Sequence, residues 1–165
     1  MFPFSDDLLA IYLQDHLAGA TAGAELASRA AGENARTPLG AALESVASGI
    51  QEDRETLKSI MAALGVGPDR LMNTAAWTAE KVGRLKLNGR VASYSPLSAV
   101  LELEGLITGV NGKRALWRAL RDLADTDPRL DATQLDGLVV RADRQLDALW
   151  SAHAAAAALA MSTGD

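Results

Sequence analysis

Three polar residues stand where the helical pattern around them requires apolar ones, a fourth is expected opposite one of them, and their types could do chemistry. They are His16, Asp53, Lys113 and Asp143. Carboxylate and imidazole groups can hold a metal ion or a small ligand, and they can move protons as general acids and bases. Asp15 and Arg114 are the sequence neighbours of this set.

Several interpretations of this polar layer stay open. The one we favour is a buried ion-pair network, because buried charges are strongly destabilising unless they pair. The lysine would then neutralise Asp53 and Asp143 in the place of a bound cation. A second interpretation is a small-ligand or single-metal site that uses His16, Asp15 and the two aspartates. Acid–base catalysis is a third, and a register shifted by one residue would instead expose some members.

Caps, prolines and glycines divide the chain into four long helices. Ser5 is the expected N-cap of the first helix. Proline directly after a capping residue opens a helix at Thr37–Pro38 and another at Ser95–Pro96. Asp131 and Gln134 form a capping box for the last helix. These signals predict helices over about 5–31, 38–64, 96–124 and 131–161.

Apolar residues recur at steps of three and four along each helix, which is the pattern of bundle seams. Short turns make helices one and two, and helices three and four, antiparallel neighbours. The connection 65–95, with a short helix predicted over 69–86, is long enough to travel the length of helix two. Helix three can therefore run parallel to helix two. We predict one all-α domain over residues 1–165, a four-helix bundle with a long crossover.

Register across the hairpins places the polar residues at one height. In an antiparallel hairpin, facing residues have numbers with a nearly constant sum, which puts His16 opposite Asp53. The same rule puts Lys113 opposite Asp143. His153 is expected ~15 Å above this layer, from the rise of 1.5 Å per residue, near the glutamates of helix three. The two histidines are therefore not expected to share a metal.

Two helical hairpins joined by one long crossover resemble the ferritin-like four-helix fold. The segments 12–16 (Tyr-Leu-Gln-Asp-His), 83–89 (Gly-Arg-Leu-Lys-Leu-Asn-Gly) and 101–105 (Leu-Glu-Leu-Glu-Gly) are similar to those of uncharacterised alanine-rich bacterial members of this superfamily. Its di-iron members carry Glu-x-x-His pairs, but no glutamate here has a histidine three residues later. The resemblance thus carries over no residue of the di-iron motif. The absence of this motif argues against ferroxidase, oxygenase and iron-storage chemistry, and we expect no cofactor.

Glycines recur at spacings of three and four along helices one and three. They are Gly19, Gly23, Gly105, Gly109 and Gly112. Glycine inside a helix is destabilising by up to about 1 kcal/mol relative to alanine. The pattern therefore predicts either a close approach of two helices or a small cavity between them.

The predicted crossover is basic in an otherwise acidic chain of net charge −5. Its basic residues are Arg70, Lys81, Arg84, Lys86 and Arg90. Only Asp69 and Glu80 oppose them between residues 69 and 90. This excess favours either binding of an anionic surface or a solvated face that pairs with acidic helices of the same molecule.

The composition narrows the function without identifying it. The 165 residues include no cysteine, which excludes disulfides and thiolate metal sites, and the acidic balance disfavours nucleic acid as a partner. The start lacks signal-peptide features and no apolar run reaches the ~20 residues of a membrane span, so we expect a cytoplasmic protein. We expect a non-catalytic binding or interaction module that forms a homodimer. The alternatives are a ligand-binding protein or enzyme using His16, Asp53 and Asp143, and anion binding through the basic crossover.

Overall fold

The structure, a computed structural model, describes residues 6–67 and 94–162. These residues form four helices: α1 (Asp6–Glu33), α2 (Gly40–Ala63), α3 (Pro96–Leu123) and α4 (Ala132–Ser162). No strand occurs within the two described ranges. The prediction of an all-α, four-helix chain is confirmed. The cap expected at Ser5 and the short helix expected over 69–86 lie outside the described residues.

Two helix starts use the predicted N-cap residues, with a full capping box at Ser95 and one of the two predicted capping-box bonds at Asp131. Ser95 Oγ accepts a hydrogen bond from the Ser98 N–H at 3.2 Å, and Ser98 Oγ accepts one from the Ser95 N–H at 3.3 Å. Pro96 occupies the first turn of α3. At the start of α4, Asp131 Oδ1 accepts from the Gln134 N–H at 3.0 Å. Each bond satisfies a backbone N–H that the beginning of a helix leaves without a partner.

Helix α2 begins later than predicted, at Gly40 instead of Pro38, and its cap residue Leu39 makes no side-chain hydrogen bond. The cause is a turn in the preceding connection. The Thr37 N–H and hydroxyl both donate to the Asn34 carbonyl oxygen, each at 2.9 Å. This turn lies so close to α2 that a Cβ at Gly40 would stand 2.8 Å from that same oxygen. Only glycine fits there without displacing the backbone.

The end of α2 is set by Gly65, whose φ is +74°. Its N–H donates to the Ala62 carbonyl at 3.1 Å, and the Val66 N–H donates to the Met61 carbonyl at 2.9 Å. This pair of bonds is the Schellman motif, which needs a left-handed residue after the last helical turn. The predicted stop after Leu64 is therefore confirmed.

Each helix packs against two neighbours and runs antiparallel to both. α1 contacts α2 and α3, and α4 contacts the same two helices. The α3–α4 pairs fall in reverse order along the two helices: Glu104 with His153, Arg114 with Asp143, and Arg121 with Asp136. Pairs between α1 and α3, and between α2 and α4, reverse in the same way. α2 and α3 therefore lie on one diagonal of the bundle and point in the same direction.

The seams of all four helices meet in one apolar core. Its most enclosed members include Leu13, Leu57, Leu103, Trp117 and Leu135, each at most 1% exposed. Apolar burial of this kind is the main favourable term in folding. Among the described helices, none combines the length and the apolar character that crossing a bilayer requires.

Candidate ligand-binding cavity

The polar centre of the bundle is the Asp53 carboxylate, which is 1% exposed. Asp53 Oδ2 accepts from Lys113 Nζ, which reaches it across the core diagonal, and from Gln145 Nε2 at 3.0 Å. Lys113 Nζ also donates to Gln145 Oε1 at 2.5 Å. Arg141 Nη2 lies 2.5 Å from Asp53 Oδ1, an ion pair without hydrogen-bond alignment. The predicted network of buried ion pairs is present around Asp53 and Lys113.

Two members of this network, Gln145 and Arg141, were missed by the sequence analysis. Gln145 carried a signal, since it lies three residues after Ala142 and four before Leu149, both on the buried face of α4. Space for its amide comes from Gly49, where a Cβ would stand only 2.7 Å from Gln145 Nε2. Nothing in the sequence pairs these two positions, because they lie on different hairpins.

Asp143 is not part of the buried layer, and the prediction that it faces Lys113 is wrong. Asp143 Oδ1 accepts from Arg114 Nη1 at 2.8 Å, and the Asp143 side chain is 46% exposed. The hairpin sum gives the height of a residue along the bundle but not its angle around the helix. Asp143 directly follows the fully buried Ala142, and this one-residue step turns it away from the core.

His16 faces the same region without joining the ion pairs. Its ring meets the Tyr12 ring edge-on with centroids 4.6 Å apart, and it forms no hydrogen bond to Asp53. Burial lowers the pKa of His16, and the exposed Asp15 carboxylate opposes that shift only in part. His16 is therefore mostly neutral at pH 7. The register predicted that His16 faces Asp53. The two residues line the same cavity but do not bond to each other.

A cavity of about 240 Å³ lies between α1 and α3 and reaches down to the polar centre. Its walls come from the two glycine-rich helix faces, and α2 contributes Ile50 and Asp53. The polar end holds Asp15, His16, Asp53 and Lys113, and the remainder of the lining is apolar or glycine. An engineered cavity of about 150 Å³ with apolar walls holds benzene, so this space suffices for a small organic molecule.

The glycines line this cavity, and four of them have room for a side chain. A Cβ at Gly19, Gly23, Gly109 or Gly112 would meet no atom within 4 Å. At Gly105 it would stand 3.1 Å from Leu26 Cδ2, the far end of a flexible side chain. Of the two explanations that the glycine spacing allowed, the cavity is correct, and a close helix approach does not require these four residues to be glycine.

Two buried side-chain atoms of the cavity lining have no hydrogen-bond partner among the described residues: one acceptor, Asp53 Oδ1, which lies against Arg141, and one donor. Trp117 lines the cavity and is 1% exposed, and its indole Nε1–H has no acceptor among the described residues. The Lys113 ammonium has three N–H groups, of which two serve Asp53 and Gln145. Burial lowers the pKa of Lys113, and Asp53 opposes that shift. The site therefore presents donors to whatever fills the cavity.

Carboxylate and imidazole groups do not cluster as a metal centre in the part of the chain that the structure describes. Over residues 6–67 and 94–162, no three side chains of the metal-ligating types come close enough to hold an ion. His153 meets Glu104, as predicted from the register, with Nε2 and Oε1 3.2 Å apart. The basic residues expected to bind anions, Arg70, Lys81, Arg84, Lys86 and Arg90, lie outside the described residues.

The candidate site is supported by its geometry, and comparison with known proteins gives no further support. No protein-family model, curated protein or solved structure matches this chain.

Proposed function

We propose that this protein is a non-catalytic binding module that takes a small organic molecule into the cavity between α1 and α3. The observation that carries the proposal is a cavity of about 240 Å³ walled by helical glycines that have room for a Cβ. A cavity of this size lined by a few convergent polar groups is the usual form of a small-molecule site.

The energetics of the glycines support binding over a purely structural role. Each glycine inside a helix is destabilising by roughly 0.5–1 kcal/mol relative to alanine. Four of the five glycines that line the cavity are exposed, so the cavity is open to solvent along this face. Alanine at these positions would remove that helix cost but would narrow the cavity. A protein that must keep the space open for a ligand has a reason to carry glycine there.

The same geometry disfavours catalysis by Asp53. Two donors hold one of its oxygens, and the Arg141 guanidinium lies against the other. A carboxylate enclosed in this way is poorly placed to reach a substrate proton, because Lys113, Gln145 and Arg141 already contact its two oxygens. Lys113 is held by the same contacts. Both residues serve to fix the polar end of the cavity.

Kinship with the ferritin-like superfamily, without a di-iron centre, is part of this proposal. The parallel direction of α2 and α3 supports it, because two hairpins joined by a crossover give that arrangement. A homodimer is also proposed. Exposed apolar side chains on α3, such as Leu97 and Leu101 at 58% and 59% exposure, are suited to a contact between copies. Light scattering of the purified chain tests the dimer.

The binding proposal is tested with propylbenzene, an apolar probe that fits the cavity. We expect the wild-type chain to bind it with a Kd below about 1 mM by calorimetry or NMR titration. Gly109→Leu should abolish binding because its side chain would fill the cavity. Gly137→Leu is the matched control, since Gly137 is also helical with open space around it but does not line the cavity. The proposal is refuted if the folded wild type, at saturating concentrations, binds neither propylbenzene nor a polar derivative of the same shape.

A further inference from the structure

The chemical class of the ligand can be inferred from what the cavity offers, and this step rests on the proposed function. The unused donors are the Trp117 indole N–H and the third N–H of Lys113. They lie four residues apart on α3, so their side chains are neighbours on one helix face. A buried donor without an acceptor is unfavourable by roughly the desolvation of the group. The ligand should therefore bring acceptors to this end.

The charges around the polar end favour an acceptor that is negative. Asp53 is in contact with two positive groups, Lys113 at 12% side-chain exposure and Arg141 at 34%, which leaves one excess positive charge before the exposed acids are counted. The two acidic groups that would balance it are in contact with solvent: Glu52 is 63% exposed in its pair with Arg141, and Asp15 is exposed at the rim. Exposed charges are screened far more strongly than buried ones.

The other end of the cavity is apolar. Beyond the polar end, the lining consists of glycine backbone and of Ala20, Ile50, Leu106, Val110 and Leu116. These groups offer packing contacts and no hydrogen bonds from side chains. In proportion to benzene in an apolar cavity of about 150 Å³, the present space holds a molecule of about ten non-hydrogen atoms.

We propose that the cavity binds a small monocarboxylate with a compact apolar body. The carboxylate lies at the polar end, where one oxygen accepts from the Trp117 indole N–H and the charge is balanced by Lys113. Neutral His16 supplies a further N–H at the same end. The body lies along the glycine walls between α1 and α3. Ring or branched-chain carboxylates fit this description, and amines of the same shape do not.

The test compares three probes of one shape on the full chain: 3-phenylpropionate, 3-phenylpropylamine and propylbenzene. We expect the acid to bind at least about tenfold more tightly than the amine in calorimetry. The carboxylate of the acid is attracted by the Lys113 ammonium, whereas the ammonium of the amine is repelled by it. Trp117→Phe removes the indole donor together with part of the ring volume, and it should weaken binding of the acid about fivefold or more. Propylbenzene affinity should change less than about twofold, which controls for the shape of the site.

An NMR measurement on the wild type covers the case in which Trp117→Phe fails to fold. The indole N–H resonance of Trp117, assigned by elimination with Trp77→Phe and Trp150→Phe, should move downfield with 3-phenylpropionate and not with propylbenzene. Binding of propylbenzene with no preference for the acid would overturn the carboxylate inference and leave the binding module intact. Failure of all three probes to bind would overturn both.

Discussion

Filling the glycine positions of the cavity with methyl groups should stabilise the protein, because each change is made inside a helix at a position that is exposed or half-buried. The variant carries alanine at Gly19, Gly23, Gly109 and Gly112. Each position has no atom within 4 Å of the added Cβ, so no contact has to move. The gain comes from the unfolded chain, which loses conformational freedom when glycine is replaced.

The size of the effect follows from the number of sites. Each replacement contributes roughly 0.5–1 kcal/mol, so four that do not touch one another give about 2–4 kcal/mol. For a chain of this length, 1 kcal/mol raises the melting temperature by about 2–4 °C. The expected rise is therefore about 4–16 °C. The four methyl groups should at the same time weaken the binding of propylbenzene, because they narrow the cavity that holds it.

Urea denaturation followed by circular dichroism measures the stability change, with two single variants as controls. Gly137→Ala should give the single-site gain and leave ligand binding unchanged, because it lies away from the cavity. Gly40→Ala should instead destabilise by more than about 1 kcal/mol, since its Cβ would stand 2.8 and 2.9 Å from the Asn34 and Ala35 carbonyl oxygens. If the fourfold variant is no more stable than wild type while Gly137→Ala is, the glycines are needed for helix contact and the reasoning fails.

Three further predictions concern the polar residues. Lys113→Met should destabilise the protein by about 3–5 kcal/mol, because Asp53 loses its main cationic partner. Adding Asp53→Leu to that variant should recover most of the lost stability. Urea denaturation measures both changes, and additive losses would contradict a coupled pair. Stability should fall as the pH drops below about 6.5, since the lowered pKa of His16 lets the unfolded chain bind a proton that the folded chain excludes. His16→Phe should flatten that dependence between pH 7.5 and 5.5, and an unchanged slope would count against it. His153→Ala should change stability by less than about 1 kcal/mol in thermal melts, because its partner Glu104 is 53% exposed; a larger loss would mean that the contact is structural.

Helix boundaries were predictable because they depend on local chemistry. A serine followed by proline at Ser95–Pro96, and a glycine at position 65, act through bonds to residues three or four positions away. The sequence contains all that such a bond needs. The start of α2 departed from prediction by two residues even though Thr37 Oγ1 accepts from the Leu39 N–H at 3.2 Å, because Thr37 is also held in the preceding turn by its bonds to the Asn34 carbonyl. A capping pattern alone does not show that a cap and a turn share one residue.

The polar layer was predictable in height and, in part, in pairing. Asp53 and Lys113 were placed in the core because each interrupts an apolar seam, and the expectation that the lysine neutralises Asp53 is confirmed. The expectation that Lys113 also faces Asp143 was wrong because it came from the register within one hairpin, whereas the lysine reaches across the diagonal to the other hairpin. Its long side chain makes that reach possible. Contacts between the two hairpins depend on how the hairpins pack together. The spacing of residues within one hairpin does not show which residues of the other hairpin they meet.

The ion pair and the cavity explain each other when the charges are considered together. With Asp53 alone at its polar end, the cavity would present a buried carboxylate and would favour cations. Lys113 cancels that charge, its ammonium keeps a third N–H for the cavity, and Arg141 adds a further positive charge behind the carboxylate. The layer that a purely structural interpretation treats as stabilising thus also sets the sign of the ligand. Because Asp53 is already held by these groups, a bound anion would compete with none of its contacts and would gain the donors that remain.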